Sequence, residues 1–239
     1  MASSLTGFDD WLNRQLEESA RAAGEDVRTY VARAVASRMV TEHGRVDSPS
    51  FVELMTHLTA SGTFALPTMP DTSATVNDPS RLRALYATKL LDSPPEEAFD
   101  RITRAAAAAL DAPHSAVSLI DVDRQFFKST VGMGGTSPEE RQTPLDRSMC
   151  QYAVAKGTPL LIEDARVDPI YKNHPAVVDG SVVAYLGIPL VDGEKNAIGT
   201  LCVFDDVPRL WTTGHVQILG DFASLAAERA FGPGGGAAR

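Results

Sequence analysis

Tyr185-Leu-Gly-Ile-Pro-Leu190 and Ala197-Ile-Gly-Thr-Leu-Cys-Val-Phe-Asp205 are the stretches on which the architecture turns. Both are short apolar runs with an interior glycine, and turn residues lie between them. The pattern predicts two adjacent buried strands joined as a hairpin. Downstream, Val216, Leu219, Phe222, Ala223 and Ala226 recur at helical spacing and mark a closing helix over 214–230. Upstream, Leu160–Asp164 reads as a third strand, and Ser148–Lys156 as a short helix stopped by Gly157. Ser115–Val122 and Gln125–Val131 are strand-like and separated only by Asp123-Arg124, which predicts another antiparallel hairpin. Gly132–Arg147 reads as a loop, and 166–181 as irregular and polar.

Two helices precede these strands. Leu82, Leu85, Tyr86 and Leu90 make one helical face over 81–91. Ser93-Pro-Pro-Glu96 has the form of a capping box and predicts the start of a helix burying Phe99, Ile102, Ala106 and Leu110. The fold class is therefore α+β: a central antiparallel sheet with flanking helices grouped mainly on one face. A small all-α region, residues 1–60, comes first. Phe8, Trp11, Leu12 and Leu16 form one helical stripe, Val27, Tyr30, Val31, Ala34 and Val35 another, and Gly24 divides them. Ser48-Pro-Ser50 predicts the start of a third helix carrying Phe51, Leu54, Met55 and Leu58. Residues 61–80 are rich in Ser, Thr, Pro and Asp without periodicity and read as a linker. Residues 81–231 form the main domain, and the glycine-rich tail 232–239 reads as disordered.

Composition narrows the class of function. The 239 residues are 44% hydrophobic, enough for a substantial core, and carry a net charge of −9. That sign argues against nucleic acid or an anionic membrane as the main partner. No apolar run reaches membrane-spanning length, and the N-terminus lacks the basic-then-apolar pattern of a signal peptide. Two cysteines, Cys150 and Cys202, make neither a disulfide framework nor a zinc cluster, and suit a reducing cytoplasm.

A family resemblance rests on an ordered set of short motifs. These are Phe126-Phe-Lys-Ser129, Arg141-x-x-Pro144, Ser148-Met-Cys150, Pro159-Leu160, Asp164-Ala165, Asp168-Pro169, Tyr185–Leu190 and Gly199-Thr-Leu-Cys-Val203. In this order and spacing the chain from Arg81 to Ala230 resembles bacterial GAF domains of the signalling type. The resemblance implies a six-stranded antiparallel sheet with helices on the outer face. It also implies a ligand pocket on the other face, roofed by 132–156 and 166–181. It further implies a sensory, non-catalytic module that binds a small molecule or a protein partner and dimerises through its terminal helices. No kinase, cyclase or phosphatase follows the last helix, so output is expected through residues 1–60 or through a separate signalling protein. Residues 24–35, after the Trp11–Ala23 helix, weakly resemble ribbon-helix-helix repressors. Their DNA-reading basic strand has no counterpart here, since Ser3–Gly7 holds no Lys or Arg. Residues 1–62 hold 6 Arg against 9 Asp and Glu, which favours docking or dimerisation over DNA binding. A ligand-responsive transcription regulator is the alternative that residues 1–60 keep open.

The candidate ligand-binding residues are Phe127, Ser129, Cys150, Asp164, Asp168 and Tyr185. Cys150 starts a short helix, where the macrodipole and nearby Arg141 and Arg147 favour a thiolate, against a bland reading as a small buried hydrophobe. Cys202, mid-strand, reads as packing. Phe127, Ser129 and Tyr185 are strand residues whose face depends on a one-residue register. Asp164 and Asp168-Pro169 read equally as loop caps and turns. His174 reads as a solvated loop residue, and Arg124, Lys128 and Arg166 as solvated charges open to an anionic ligand. One GAF branch reduces free methionine-R-sulfoxide with a thiolate and a resolving thiol. That branch carries further cysteines before the short helix, and this chain has none at 115–149. A thiol-dependent enzyme or sensor using Cys150 is thus the catalytic alternative. The motif of cyclic-nucleotide GAF domains and a bilin-attachment context are both missing, so the sequence names no cofactor and no metal.

Overall fold

A computed structural model of the chain describes residues 9–22, 26–43, 69–133, 137, 140–232 and 236–237. They fall into two units that divide between Pro67 and Thr68. In the first, α1 (Asp10–Ala22) and α2 (Val27–His43) match the two predicted helices. Each begins on an aspartate: Asp9 accepts from the Leu12 N–H at 2.8 Å, and Asp26 from the Thr29 N–H at 3.1 Å. Ala20 and Ala36 are buried, whereas Trp11, read as part of the apolar stripe, is 61% exposed. The predicted helix after Ser48 lies outside the described residues.

The second unit opens with α3 (Ser73–Val76), α4 (Pro79–Ala87) and α5 (Glu97–Ala109). Strands β1 (His114–Ile120), β2 (Arg124–Val131) and β3 (Gln142–Pro144) lead through a 3-10 turn at Leu145–Arg147 to α6 (Cys150–Lys156). Then come β4 (Leu160–Ile162), the one-turn α7 (Pro175–Val178), and the hairpin β5 (Ala184–Val191) and β6 (Ala197–Asp205). Helix α8 (Thr213–Phe231) and a two-residue strand, β7 (Gly236–Ala237), close the chain. The sheet is antiparallel in the order β3-β2-β1-β6-β5-β4, with β7 added on β5.

The hairpin sits at the sheet's centre, which is why its strands read as unbroken apolar runs: both faces are covered. Its turn is closed by Asp192, whose carboxylate accepts from the Glu194 and Asn196 N–H groups at 2.9 and 2.8 Å. On one face Leu85, Phe99, Val117, Leu119, Phe126, Leu186, Ile188, Leu201 and Leu219 form a core with α4, α5 and α8. On the other, Ala116, Ile120, Phe127, Tyr185 and Cys202 pack under α3 and α6. Gly199 is required by the β1–β6 contact, because a Cβ there would stand 1.9 Å from the Ser118 carbonyl oxygen.

Several boundaries differ from the sequence reading, each for a local reason. The supposed linker ends early. Asp78 accepts from the Ser80 and Arg81 N–H groups at 2.8 and 3.0 Å, with Pro79 at the first helical position, so this Pro/Ser/Asp cluster is a helix start. Val76 is fully buried, and the buried Arg81 bonds the Val76 and Ile120 carbonyls. Ser93–Glu96 is not a capping box. Helix α5 starts at Glu97 and its N-cap side chain makes no cap bond. The segment instead encloses the fully buried Lys128 ammonium, at 2.5 Å from Ser93 Oγ, 2.7 Å from the Pro94 carbonyl and 2.7 Å from Glu96. A buried cation needs such partners, and the stretch supplies them instead of a cap. Strand β3 lies inside the predicted loop, too short to show a period. Gly236–Ala237, in the tail read as disordered, pairs with Leu190 and Val191, an edge that the three-residue β4 leaves open. Among the described residues no helix is long and apolar enough to cross a membrane.

Two glycine-to-alanine substitutions separate close approach from conformational freedom. Gly199→Ala should destabilise the domain by about 3 kcal/mol, because backbone must move to admit the methyl group. Gly220→Ala, on α8 with nothing within 4 Å of a new Cβ, should be neutral or stabilise by up to about 1 kcal/mol. Urea unfolding midpoints of the two variants check both signs.

Candidate functional site

The face of the sheet opposite α5 and α8 carries a cavity of about 300 Å³. Its walls are Gln125 and Phe127 of β2, Gln142 and Thr143 of β3, Tyr185 of β5, and Cys202 and Phe204 of β6. Its roof comes from Met133, Arg147, Met149 and Cys150 on one side and Ala176, Ser181 and Val182 on the other. Glu140, Gln142 and Ser181 are exposed at the rim, while Met149, Cys150, Tyr185 and Cys202 are buried at the floor. The volume is at the small end for ligand pockets, and the lining is mainly apolar with a few polar groups.

Cys150 is the centre of the floor. The Tyr185 hydroxyl donates to its Sγ at 3.2 Å, the Ser118 Oγ lies at 3.6 Å, and the Cys202 Sγ at 3.8 Å. A hydrogen-bond chain holds this arrangement. Ser148 Oγ donates to Gln125 Oε1, and Gln125 Nε2 donates to Ser118 Oγ at 3.1 Å. Gln151, the next residue of α6, donates to the Leu145 carbonyl at 2.6 Å and accepts from Thr72 Oγ1 at 2.7 Å. Thr200, paired across strands with Ser118, has a buried Oγ1 without a hydrogen-bond partner among the described residues. Burial works against charge at Cys150. The Cys202 thiol, then the Thr200 hydroxyl that the neutral site leaves unpartnered, and then the Tyr185 and Ser118 hydroxyls stabilise the thiolate by more, so the Cys150 pKa falls. Cys202 moves the other way, held up by its bond to Cys150 and by burial. The expected arginine help does not materialise. Arg141 bonds the Ser93, Phe127 and Lys128 carbonyls, and Arg147 pairs with Asp179. Ser181 and Arg147 hold the Asp179 carboxyl down at about 2.

Of the six candidates, Phe127, Cys150 and Tyr185 line the cavity, and Ser129, Asp164 and Asp168 do not. Ser129 is on the helix face, bonded to Thr103 at 2.7 Å and Asp100 at 2.6 Å. The reason is a β-bulge: Ser118 pairs with Phe127 and Val117 with Ser129, so Lys128 is the extra residue and the alternation flips after it. Asp164 is spent on Arg166, at 2.7–3.1 Å, and Asp168 caps a turn through the Ile170 and Tyr171 N–H groups at 2.8 and 3.0 Å. His174 is not solvated: it is fully buried, and its Nδ1 accepts from the Ala176 N–H at 3.2 Å to start α7. Burial lowers its pKa and keeps the ring neutral. Lys128 is likewise buried, and Arg124 is paired with Asp92. The sequence reading missed Gln125, Thr143, Met149 and Phe204. Gln125 alone carried a usable signal, two residues before Phe127 on one strand face. Among the described residues no group of His, Cys, Asp and Glu is placed to hold a metal ion.

Removing the Tyr185 hydroxyl takes away a donor that lowers the Cys150 pKa. Tyr185→Phe should therefore raise that pKa by about one to two units, since a hydrogen bond to a charged group is worth roughly 1.5–3 kcal/mol. The pH profile of Cys150 alkylation, followed by mass spectrometry, should move to higher pH; an unmoved midpoint contradicts the assignment.

The GAF domain profile matches residues 94–229. A cyclic di-GMP phosphodiesterase of Pseudomonas aeruginosa is 33% identical over 142 residues, 59% of this chain. The match spans only 23% of that protein. Among solved structures, the GAF domain of an Acinetobacter phosphoenolpyruvate-protein phosphotransferase is similar at 14% identity and a TM-score of 0.47, over 64% of this chain and 93% of that one. A free methionine-R-sulfoxide reductase from Neisseria meningitidis is similar at 17% identity and a TM-score of 0.45, over 70% and 95%. With the family profile covering more than half of its residues, this chain belongs to the GAF domain family.

Proposed function

We propose that the domain is a non-catalytic regulatory module whose cavity binds a small, largely apolar molecule. One observation carries this reading: a cavity of about 300 Å³ reaches from an exposed polar rim to a buried floor of Phe127, Met149 and Tyr185. A ligand there bears on α6 and on Arg147 and Asp179, so binding acts directly on the segments that form the roof. Output is assigned to pairing of two copies or to a separate signalling protein. Ile218 and Leu225, 39% and 52% exposed and seven residues apart on α8, offer an apolar stripe for pairing.

The thiol-enzyme reading has one observation in its favour, the contact between Cys150 and Cys202. Against it, the chain lacks the further cysteines of the sulfoxide-reducing branch. Turnover of free methionine sulfoxide with a dithiol reductant separates the two readings, and no turnover is expected.

Native mass spectrometry of protein purified from its own host should show a bound small-molecule mass that is released on denaturation. Thr143→Trp fills the half-exposed rim without touching the core, and should weaken that binding about tenfold or more. A chain that carries no ligand, with binding absent in wild type and variant alike, contradicts the ligand reading and leaves a protein-docking scaffold. Leu225→Asp should convert a dimer to monomers in sedimentation; an unchanged mass excludes the α8 stripe as the pairing surface.

A further inference from the structure

Two free thiols meet at the cavity floor. Cys150 comes from the first turn of α6 and Cys202 from the middle of β6, yet their sulfurs are 3.8 Å apart. That is contact distance, and a bond would close it to about 2.05 Å. Two small apolar residues would pack this junction equally well. They would, however, leave the Tyr185 hydroxyl, fully buried and 3.2 Å from Cys150 Sγ, without that acceptor. No cation or carboxylate makes a contact with either sulfur within the described residues, so what surrounds them is hydroxyls, thiols and the cavity itself. Both sulfurs border that cavity, which gives a small molecule a route from the rim to them.

We propose that Cys150 and Cys202 form an oxidisable dithiol, which a small hydroperoxide entering the cavity converts to an intramolecular disulfide. In the first step the Cys150 thiolate attacks the terminal peroxide oxygen. The O–O bond breaks, an alcohol or water leaves with a proton, and Cys150 becomes a sulfenic acid. In the second, the Cys202 sulfur attacks the Cys150 sulfur and the S–OH bond breaks. Hydroxide leaves and takes the Cys202 proton as water. Two thiols and one hydroperoxide give one disulfide, one alcohol and one water. The roles follow from the site: the Tyr185 and Ser118 hydroxyls face Cys150, which makes it the attacking sulfur, and Cys202 the resolving one.

The bond would tie the start of α6, part of the roof, to the central strand beneath it. It would also remove the thiolate to which Tyr185 donates. Oxidation and cavity occupancy are thereby coupled through the same side chains, and the redox chemistry stands whether or not the cavity takes another ligand. A dithiol reductant returns the pair to two thiols by exchange.

The test uses the full reduced chain and hydrogen peroxide as the probe, quenched with catalase before denaturation. Thiol titration should fall from two per chain to none, the intact mass should drop by two hydrogens, and a non-reducing digest should yield a peptide pair joined through Cys150 and Cys202. Dithiothreitol should restore both thiols. In Cys202→Ser, dimedone should trap a sulfenic acid at Cys150; in Cys150→Ser it should label nothing. Two surviving thiols, a disulfide between chains, or sulfinic acids in place of the bond would overturn the proposal, as would a dimedone adduct at Cys202. The wild-type measurements need no variant to fold and no other ligand to bind, so they decide the matter independently of the ligand reading.

Discussion

Gly187 has no side chain, and the Tyr185 ring occupies the space that one would need. A Cβ at 187 would stand 2.2 Å from the Tyr185 oxygen. Residues 185 and 187 point to the same sheet face, two apart on β5, so the ring lies back over the glycine. Its hydroxyl then comes within 3.2 Å of Cys150 Sγ. Cys150 in turn seats the first turn of α6 on β6, opposite Cys202. The roof of the cavity and the contact of the two thiols both depend on this one missing side chain. The hydrogen-bond chain from Ser148 through Gln125 to Ser118 closes the arrangement from the other side.

The two faces of the sheet divide the work. The helix face is a continuous apolar core, and the two strand residues around the bulge that turn polar groups into it find partners: Ser129 in Thr103 and Asp100, Lys128 in Ser93, Pro94 and Glu96. The opposite face keeps a cavity, bordered by two methionines, two thiols and a tyrosine hydroxyl. The bulge at Lys128 is where β2 passes from serving one face to serving the other. Leaving the Lys128 ammonium unpaired would cost about 3–5 kcal/mol, so the Ser93–Glu96 segment is what makes the bulge tolerable.

Most of the fold was legible because it is built from long periodic elements. The β5–β6 hairpin announces itself by two apolar runs, α8 by its stripe, and α6 by Gly157, which takes a left-handed conformation at φ 67° as a C-cap should. What escaped the sequence was short or long-range. Strand β3 has three residues, and no period can be seen in three. Ser93–Glu96 has the letters of a capping box, but its partner is Lys128, more than 30 residues on. Phe127 and Tyr185 were legible as cavity-lining residues because strand alternation must turn some of the candidates to the cavity face. Ser129 was misjudged by the same rule, since a bulge adds one residue and inverts every face after it. Cys202 read as packing, and it is buried in a strand as expected; that its sulfur touches one 52 positions earlier is a property of the packed α6–β6 interface and of nothing local.

On the proposed reading, the cavity beneath α6 is a built site and not a packing remnant. The most direct measurement is a crystal structure of the protein isolated from its own host under reducing conditions. Density for a small molecule should lie between Phe127, Met149 and Tyr185, with the Cys150 and Cys202 thiols facing it and unbonded. A cavity closed by collapse of Met133 and Met149 onto Tyr185, with no foreign density, would contradict it.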